Sequence, residues 1–154
     1  MSDIANANKL HYTFFMQSSL YIQQLKNKGH RITKAREAII DMFVLHASPV
    51  TAKQIEDYLL KRSIEVNKAT IYREITFLSK EHIISEVYLS PNMLFYELSD
   101  RSHHHHVICI TCGRIEDIHV NKEENLIDVI EKKTNYKMAG HLMEFYGTCH
   151  NCNR

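Results

Sequence analysis

The densest chemistry in this 154-residue chain lies between His103 and Cys112, where four imidazoles and two thiols fall within ten residues, His-His-His-His-Val-Ile-Cys-Ile-Thr-Cys. A second thiol pair, Cys149 and Cys152, closes the sequence. Cys109-x-x-Cys112 and Cys149-x-x-Cys152 each present two thiolates on a tight turn, the ligand pattern of a tetrahedral four-cysteine zinc site. Two redox pairs or two free dithiols are the competing reading. All four cysteines are used in the pairs and no secretory leader precedes them, which favours structural zinc in an intracellular, cytoplasmic protein.

The histidine run has a different logic. In a strand, successive side chains point to opposite faces, so His103 and His105 go one way and His104 and His106 the other. One tetrapeptide can then serve two separate metal sites. A solvated loop or a tag is the plain alternative, but this run is internal and stands three residues before a Cys. Glu97, Asp117, Glu124 and His141 are further candidate ligands.

Positioning these groups requires two kinds of scaffold. Downstream of a hinge at 99–102, the segment 103–154 reads β-β-α-β: strands over 103–110 and 114–120, a helix capped by Asn121 with Leu126, Ile127, Val129 and Ile130 inside, and a long strand over 136–146. Such a sheet has open edges that a symmetry mate completes, so a two-fold homodimer is expected. Upstream, residues 1–98 read as helices followed by a hairpin, with 1–12 as a flexible tail. Phe14, Leu20, Ile22 and Leu25 mark a first helix ended by Gly29. Thr33 opens a second, bearing Ala35, Ile39, Ile40, Phe43 and Val44. Thr51 and Gln54 form a capping box for a third, with Ile55, Tyr58 and Leu59 buried. A fourth over 67–80 turns Ile71, Ile75 and Leu78 inward and Thr70, Tyr72, Arg73 and Thr76 outward. Strands at 84–89 and 93–98, joined at Ser90-Pro91-Asn92, complete a winged helix-turn-helix. The fold class is α+β: an N-terminal winged helix-turn-helix domain and a small C-terminal α/β dimerisation domain.

Composition allows this and does little more. Hydrophobic residues make up 44% and charged residues 24%, with a formal net charge of +1, so a nucleic-acid partner cannot be argued from bulk charge. The apolar run at 14–16 is too short to span a bilayer, and no membrane partner is expected.

Taken together, Gly29-x-Arg31-x-Thr33-x-x-Arg36, Ala69-Thr70-Ile71-Tyr72-Arg73, Phe95-Tyr96-Glu97-Leu98, the His103–Gly113 stretch and Gly140-His141-Leu142 through Cys152 resemble the ferric uptake regulator superfamily of metal-sensing repressors. The resemblance spans nearly everything after residue 20. It implies structural zinc at the four cysteines, a sensory site of His103, His105, Glu124 and His141, and a hinge site of Glu97, His104, His106 and Asp117. It implies that Arg36, Thr70, Tyr72 and Arg73 contact a palindromic double-stranded operator and that Arg31 reaches the minor groove. The regulatory metal would be Fe2+ or Zn2+, with Mn2+ or Ni2+ possible. No enzymatic activity and no small organic substrate is implied.

Three positions depart from that pattern. His105 replaces the Asp usual in iron-sensing members and is similar to zinc-sensing ones, although their additional Cys near the wing is absent. Pro49 stands where a hinge-site His often precedes the third helix, with His46 as a substitute. Glu74 places a carboxylate on the recognition helix without evident reason. A peroxide sensor of the same fold is one rival, though that subgroup usually carries Asp at the Glu97 position. A zinc hydrolase or deaminase is the other; it would need an open metal position and Glu124 or Glu97 as acid/base, groups better used as ligands.

Overall fold

A computed structural model describes residues 16–90, 93–120 and 123–153, the side chains of 123–125 excepted. The expected tail at 1–12, Phe14, the Pro91-Asn92 turn, the Asn121 cap and the side chain of Glu124 lie outside the described residues. The chain forms two compact units, divided between Asp100 and Arg101.

In the first unit, helix α1 covers 16–27 and ends where Gly29 adopts φ 81°, with the His30 N–H donating to the Leu25 carbonyl. Helix α2 (Lys34–Leu45) is capped by Thr33, whose hydroxyl accepts from the Arg36 N–H. Strand β1 (Val50–Thr51) leads into α3 (Ala52–Lys61), where Thr51 and Gln54 form the reciprocal capping box. Helix α4 (Lys68–Lys80) starts at Asn67, whose side chain accepts from the Thr70 N–H. Strands β2 (Ile84–Ser90) and β3 (Met93–Leu98) pair antiparallel, and β1 adds to the other edge of β3 in the order β1-β3-β2. Leu25, Ile39, Ile40, Ile55, Leu59, Leu78, Ile83 and Ile84 form the dry centre. The result is a helix-turn-helix with a two-stranded wing.

The inward stripe of α1 differs from the expected one. Ser18, Tyr21 and Leu25 are buried, while Leu20 is 66% exposed. The spacing 18-21-25 keeps one face, which a helix with Leu20 inside cannot share with Leu25. The Tyr21 hydroxyl donates to Asp100 Oδ2 at 2.5 Å.

The second unit holds β4 (His105–Cys109), β5 (Ile115–Ile118), α5 (Glu123–Thr134) and β6 (Glu144–Gly147). Its sheet runs β5-β4-β6, with β5 antiparallel and β6 parallel to β4. The last strand is much shorter than 136–146, because β4 offers a ladder only over 106–109. The stretch 135–143 is irregular. On α5, Ile127 and Ile130 are half-buried, but Leu126 and Val129 are 48% and 46% exposed, against the expectation that all four lie inside. Among the described residues, no other element packs extensively against α5, which leaves Leu126 and Val129 uncovered. Among the described residues no helix is long and apolar enough to cross a membrane.

Candidate metal centres and nucleic-acid face

Parallel pairing of β4 and β6 sets Cys109 opposite Gly147, so both Cys-x-x-Cys turns leave the same end of the sheet. Gly113, at φ 72°, tightens the first turn and its N–H returns to the Cys109 carbonyl. The second turn closes through Cys152 N–H to the Cys149 carbonyl. The four sulfurs lie within 4.8 Å of one another, and no disulfide joins them. Cys112 and Cys149 Sγ are 3.8 Å apart. A zinc tetrathiolate with bonds of about 2.3 Å has tetrahedron edges of about 3.8 Å, so the set fits zinc. Backbone N–H groups of Cys149 and Cys112 pull the Cys109 thiol down to about 6, while hydrogen bonding with the neighbouring thiols, Cys149 foremost, pushes Cys152 up to about 12. Four adjacent thiolates repel unless a cation compensates them, which is what such a metal would provide.

On one side of the histidine run, one ring nitrogen each of His103, His105 and His141 lies within 4.8 Å of the others. The His103–His105 ring centroids are 4.8 Å apart, and those of His103–His141 5.1 Å. His105 is buried, edge-on to Phe145, and His141 reaches it from the irregular stretch before β6. Glu124 belongs to α5. Three convergent imidazoles with one buried are a borderline-metal donor set.

His104 and His106 turn to the other side, their centroids 4.8 Å apart. His104 Nδ1 lies 2.7 Å from the Ser102 carbonyl oxygen. His106, 4% exposed, has Nε2 3.7 Å from Asp117 Oδ1 and Nδ1 3.6 Å from Glu144 Oε2. Arg101 pairs with the other oxygen of Asp117. Asp117 Oδ1 is buried and accepts no hydrogen bond among the described residues, an orphan that a cation would satisfy. Glu97 lies in the first unit, half-buried on β3 and in register with Ser85.

On α4, Tyr72 is 55% exposed, and Arg73 and Thr76 are exposed beside it. With Phe77 and Lys80 they line an open depression. Two cations and a phenol on the outer face of the second helix of a helix-turn-helix suit phosphate and base-edge contacts.

The ferric uptake regulator family model matches residues 27–146. This chain belongs to the ferric uptake regulator family. It is 32% identical over 138 residues to the ferric uptake regulation protein of Neisseria meningitidis serogroup C, covering 89% of this chain and 96% of that one. The peroxide-responsive repressor PerR of Staphylococcus saprophyticus is 30% identical over 131 residues, covering 85% and 88%. Its fold is that of the Helicobacter pylori ferric uptake regulator Fur, with a TM-score of 0.77 at 24% identity over 92% of this chain and 94% of that one. That structure is described as having three functional metal binding sites. Membership makes this chain a metal-dependent, DNA-binding transcription regulator rather than an enzyme.

Within the Fur-family frame, one expected DNA contact sits elsewhere. Arg36 is turned inward, 12% exposed, with its guanidinium paired to Glu74 at 2.7 Å and 3.7 Å from the centroid of the Phe77 ring. The local pattern hid this because the partner is 38 residues away. The same pair accounts for Glu74, which faces the protein and not the solvent. Arg31 is exposed, and its carbonyl accepts from Arg36 Nη1 at 2.6 Å. Thr70 is half-buried, its hydroxyl 2.9 Å from Asn67 Oδ1 in the cap. His46, considered as a replacement for a ligand at Pro49, lies back on its own helix, Nδ1 2.9 Å from the Met42 carbonyl oxygen and its ring edge-on to Tyr58. Glu144 and Arg101 were not singled out from the sequence. The strand register, with Glu144 opposite His106, reveals the first, and the ion pair with Asp117 the second.

Proposed function

We propose that this protein is a cytoplasmic repressor of metal-homeostasis genes, iron- or zinc-sensing, acting as a homodimer on a palindromic operator. The observation that carries the reading is the division of the histidine run: His103 and His105 converge with His141, while His104 and His106 face away beside Asp117. His105 and His106 open β4 and His103 and His104 immediately precede it, so one short stretch supplies donors to both sets.

In this reading, the four cysteines hold structural zinc. His103, His105, His141 and Glu124 form the sensory site, and Glu97 joins His104, His106 and Asp117 at the hinge. Bound divalent metal supplies the charge and directional bonds that keep such donors together. Donors on either side of residues 99–102 tie the regulatory state to the placement of the winged helices, and only differential affinity for the two states shifts their populations. A discrimination of about 10⁴ corresponds to about 5.5 kcal/mol and suffices for a clean switch. Tyr72 and Arg73 read the major groove and Arg31 the minor groove. Exposed Leu126, Val129, Leu142 and Tyr146 on so small a unit support the homodimer.

Binding to a palindromic promoter fragment is measured against buffered Fe(II), Zn(II), Mn(II) and Ni(II), with metal content recorded. The expected result is tight binding with iron or zinc and its loss in His103→Ala and His141→Ala. Retained metal-dependent binding in both variants would sink the sensory-site assignment. Added oxygen on His104 or its neighbours after peroxide, seen by mass spectrometry, would instead place the protein with PerR.

A further inference from the structure

We infer that Glu81, at the C-terminal end of the recognition helix, is a positioning residue for operator binding: through Lys28 and His30 it holds the turn between α1 and α2 against α4, and so sets Arg31 relative to Tyr72 and Arg73. This rests on the reading of Arg31, Tyr72 and Arg73 as DNA contacts and names what fixes their spacing.

Helix α4 has three sides. At about 3.6 residues per turn, Ile71, Ile75 and Leu78 point into the core, while Tyr72, Arg73, Thr76 and Lys80 are exposed on the outside. Glu74, Phe77 and Glu81 fall on a third side, and that side meets the turn that carries Arg31. Glu81 Oε2 accepts from Lys28 Nζ at 2.7 Å, and Oε1 lies 3.2 Å from His30 Nε2. The His30 ring stands edge-on to Phe77, with centroids 4.9 Å apart. Arg36, paired with Glu74, lies over the same Phe77 ring and donates from Nη1 to the Arg31 carbonyl. Residues 28, 30 and 31 are thus each tied to α4, directly or through Arg36.

Nothing in α4 by itself calls for an acid at position 81. Glu81 is the C-cap, where the helix dipole disfavours negative charge and favours a cation such as Lys80. Its two partners both come from the segment before α2. Folding stability does not account for the arrangement either. Lys28 is 48% exposed, and ion pairs of exposed lysines contribute little to it. What the contact supplies is position. Arg31 is itself exposed, and a long side chain whose backbone is already held near its bound place gives up less freedom on binding.

The test is a double-variant cycle on DNA affinity. The full-length, zinc-containing wild type in buffered Fe(II) or Zn(II) selects a duplex from a random-sequence pool. Fluorescence anisotropy then measures binding of that duplex by each variant, and urea unfolding confirms that each is folded. In the wild type, Arg31→Ala should weaken binding about 10-fold. In a Glu81→Ala background the same change should weaken it only about 3-fold, because Arg31 is no longer held in place. Glu81→Gln removes the charge but keeps an oxygen that accepts from Lys28 and His30. In that background Arg31→Ala should act nearly as it does in the wild type. Arg73→Ala should cause the same loss with Glu81 or with Ala at that position.

An equal loss from Arg31→Ala in the wild type and in Glu81→Ala overturns this inference alone. So does a Glu81→Gln background that behaves as Glu81→Ala, since charge and not the hold would then be the cause. An Arg73→Ala effect that shrinks together with that of Arg31→Ala also overturns it, by showing a general disturbance of α4. Arg31→Ala binding as tightly as the wild type overturns the reading of Arg31 as a DNA contact, and this inference with it.

Discussion

Arg36 on α2 and Glu74 on α4 form a two-pronged ion pair, Nε to Oε2 at 2.7 Å and Nη2 to Oε1 at 3.2 Å. The third edge of the guanidinium donates to the Arg31 carbonyl, and its flat face lies on Phe77. Every donor direction used serves to fix the recognition helix against the segment that precedes α2. An Arg suits this task where a Lys would not, because one planar fork satisfies all three contacts.

Removing one member should therefore cost far more than removing both. Arg36→Met strands a carboxylate that is 12% exposed, and a loss of about 3 kcal/mol in urea unfolding is expected. Arg36→Met combined with Glu74→Leu should recover much of it. A double variant no more stable than Arg36→Met would show that packing on Phe77, and not the charge pair, matters.

Arg73 presents the contrary case. It is exposed on α4, so Arg73→Ala should leave unfolding within about 0.5 kcal/mol of the parent. Operator affinity should fall by about 1–3 kcal/mol if it pairs with a base. Fluorescence anisotropy at several salt concentrations separates that outcome from a phosphate contact, which would change the salt slope as well.

Zinc removal should divide the molecule's fate between its units. The second unit has a short three-stranded sheet and a four-thiol cluster, whereas the first has its own dry core. A strong chelator, or Cys149→Ser, should abolish the dispersed amide signals of 101–153 while those of the first unit persist. Equal loss from both units would contradict independent cores.

Alkaline pH should weaken the first unit. Burial above all pushes the Tyr21, Tyr58 and Tyr96 hydroxyls up from their ordinary range, with the Asp100 hydrogen bond adding to it at Tyr21. A folded-state pKa above the unfolded one means the native form holds the proton longer. The stabilisation is complete below about pH 10 and is lost as pH rises towards the folded-state values. Tyr21→Phe should flatten that decline, which urea melts at pH 8 to 11 would detect.

What could be read from the sequence was what is local in it. Thr51 with Gln54, Gly29 after α1 and the two Cys-x-x-Cys turns each carry their signal within a few residues. Alternation within 103–106 likewise needs no partner to be recognised. The inward turn of Arg36, the row Asp117–His106–Glu144 and the shortness of β6 depend on which segments become neighbours, and no local period encodes that. Leu20 illustrates the same limit: it marks α1 as an apolar position, yet the buried face is made by Ser18, Tyr21 and Leu25.

The parallel pairing of β4 with β6 carries a consequence for the unfolded chain. Strands that run the same way must be joined by a long excursion, here through β5 and α5, and closing it is entropically costly before any contact repays it. A metal gripping Cys109 and Cys149, 40 residues apart, cross-links that excursion as a disulfide would. For a loop of this size the loss of freedom in the denatured ensemble is worth about 4 kcal/mol. With zinc retained, the unit would unfold as a tethered ring, and its lifetime would be set by how slowly the ion leaves.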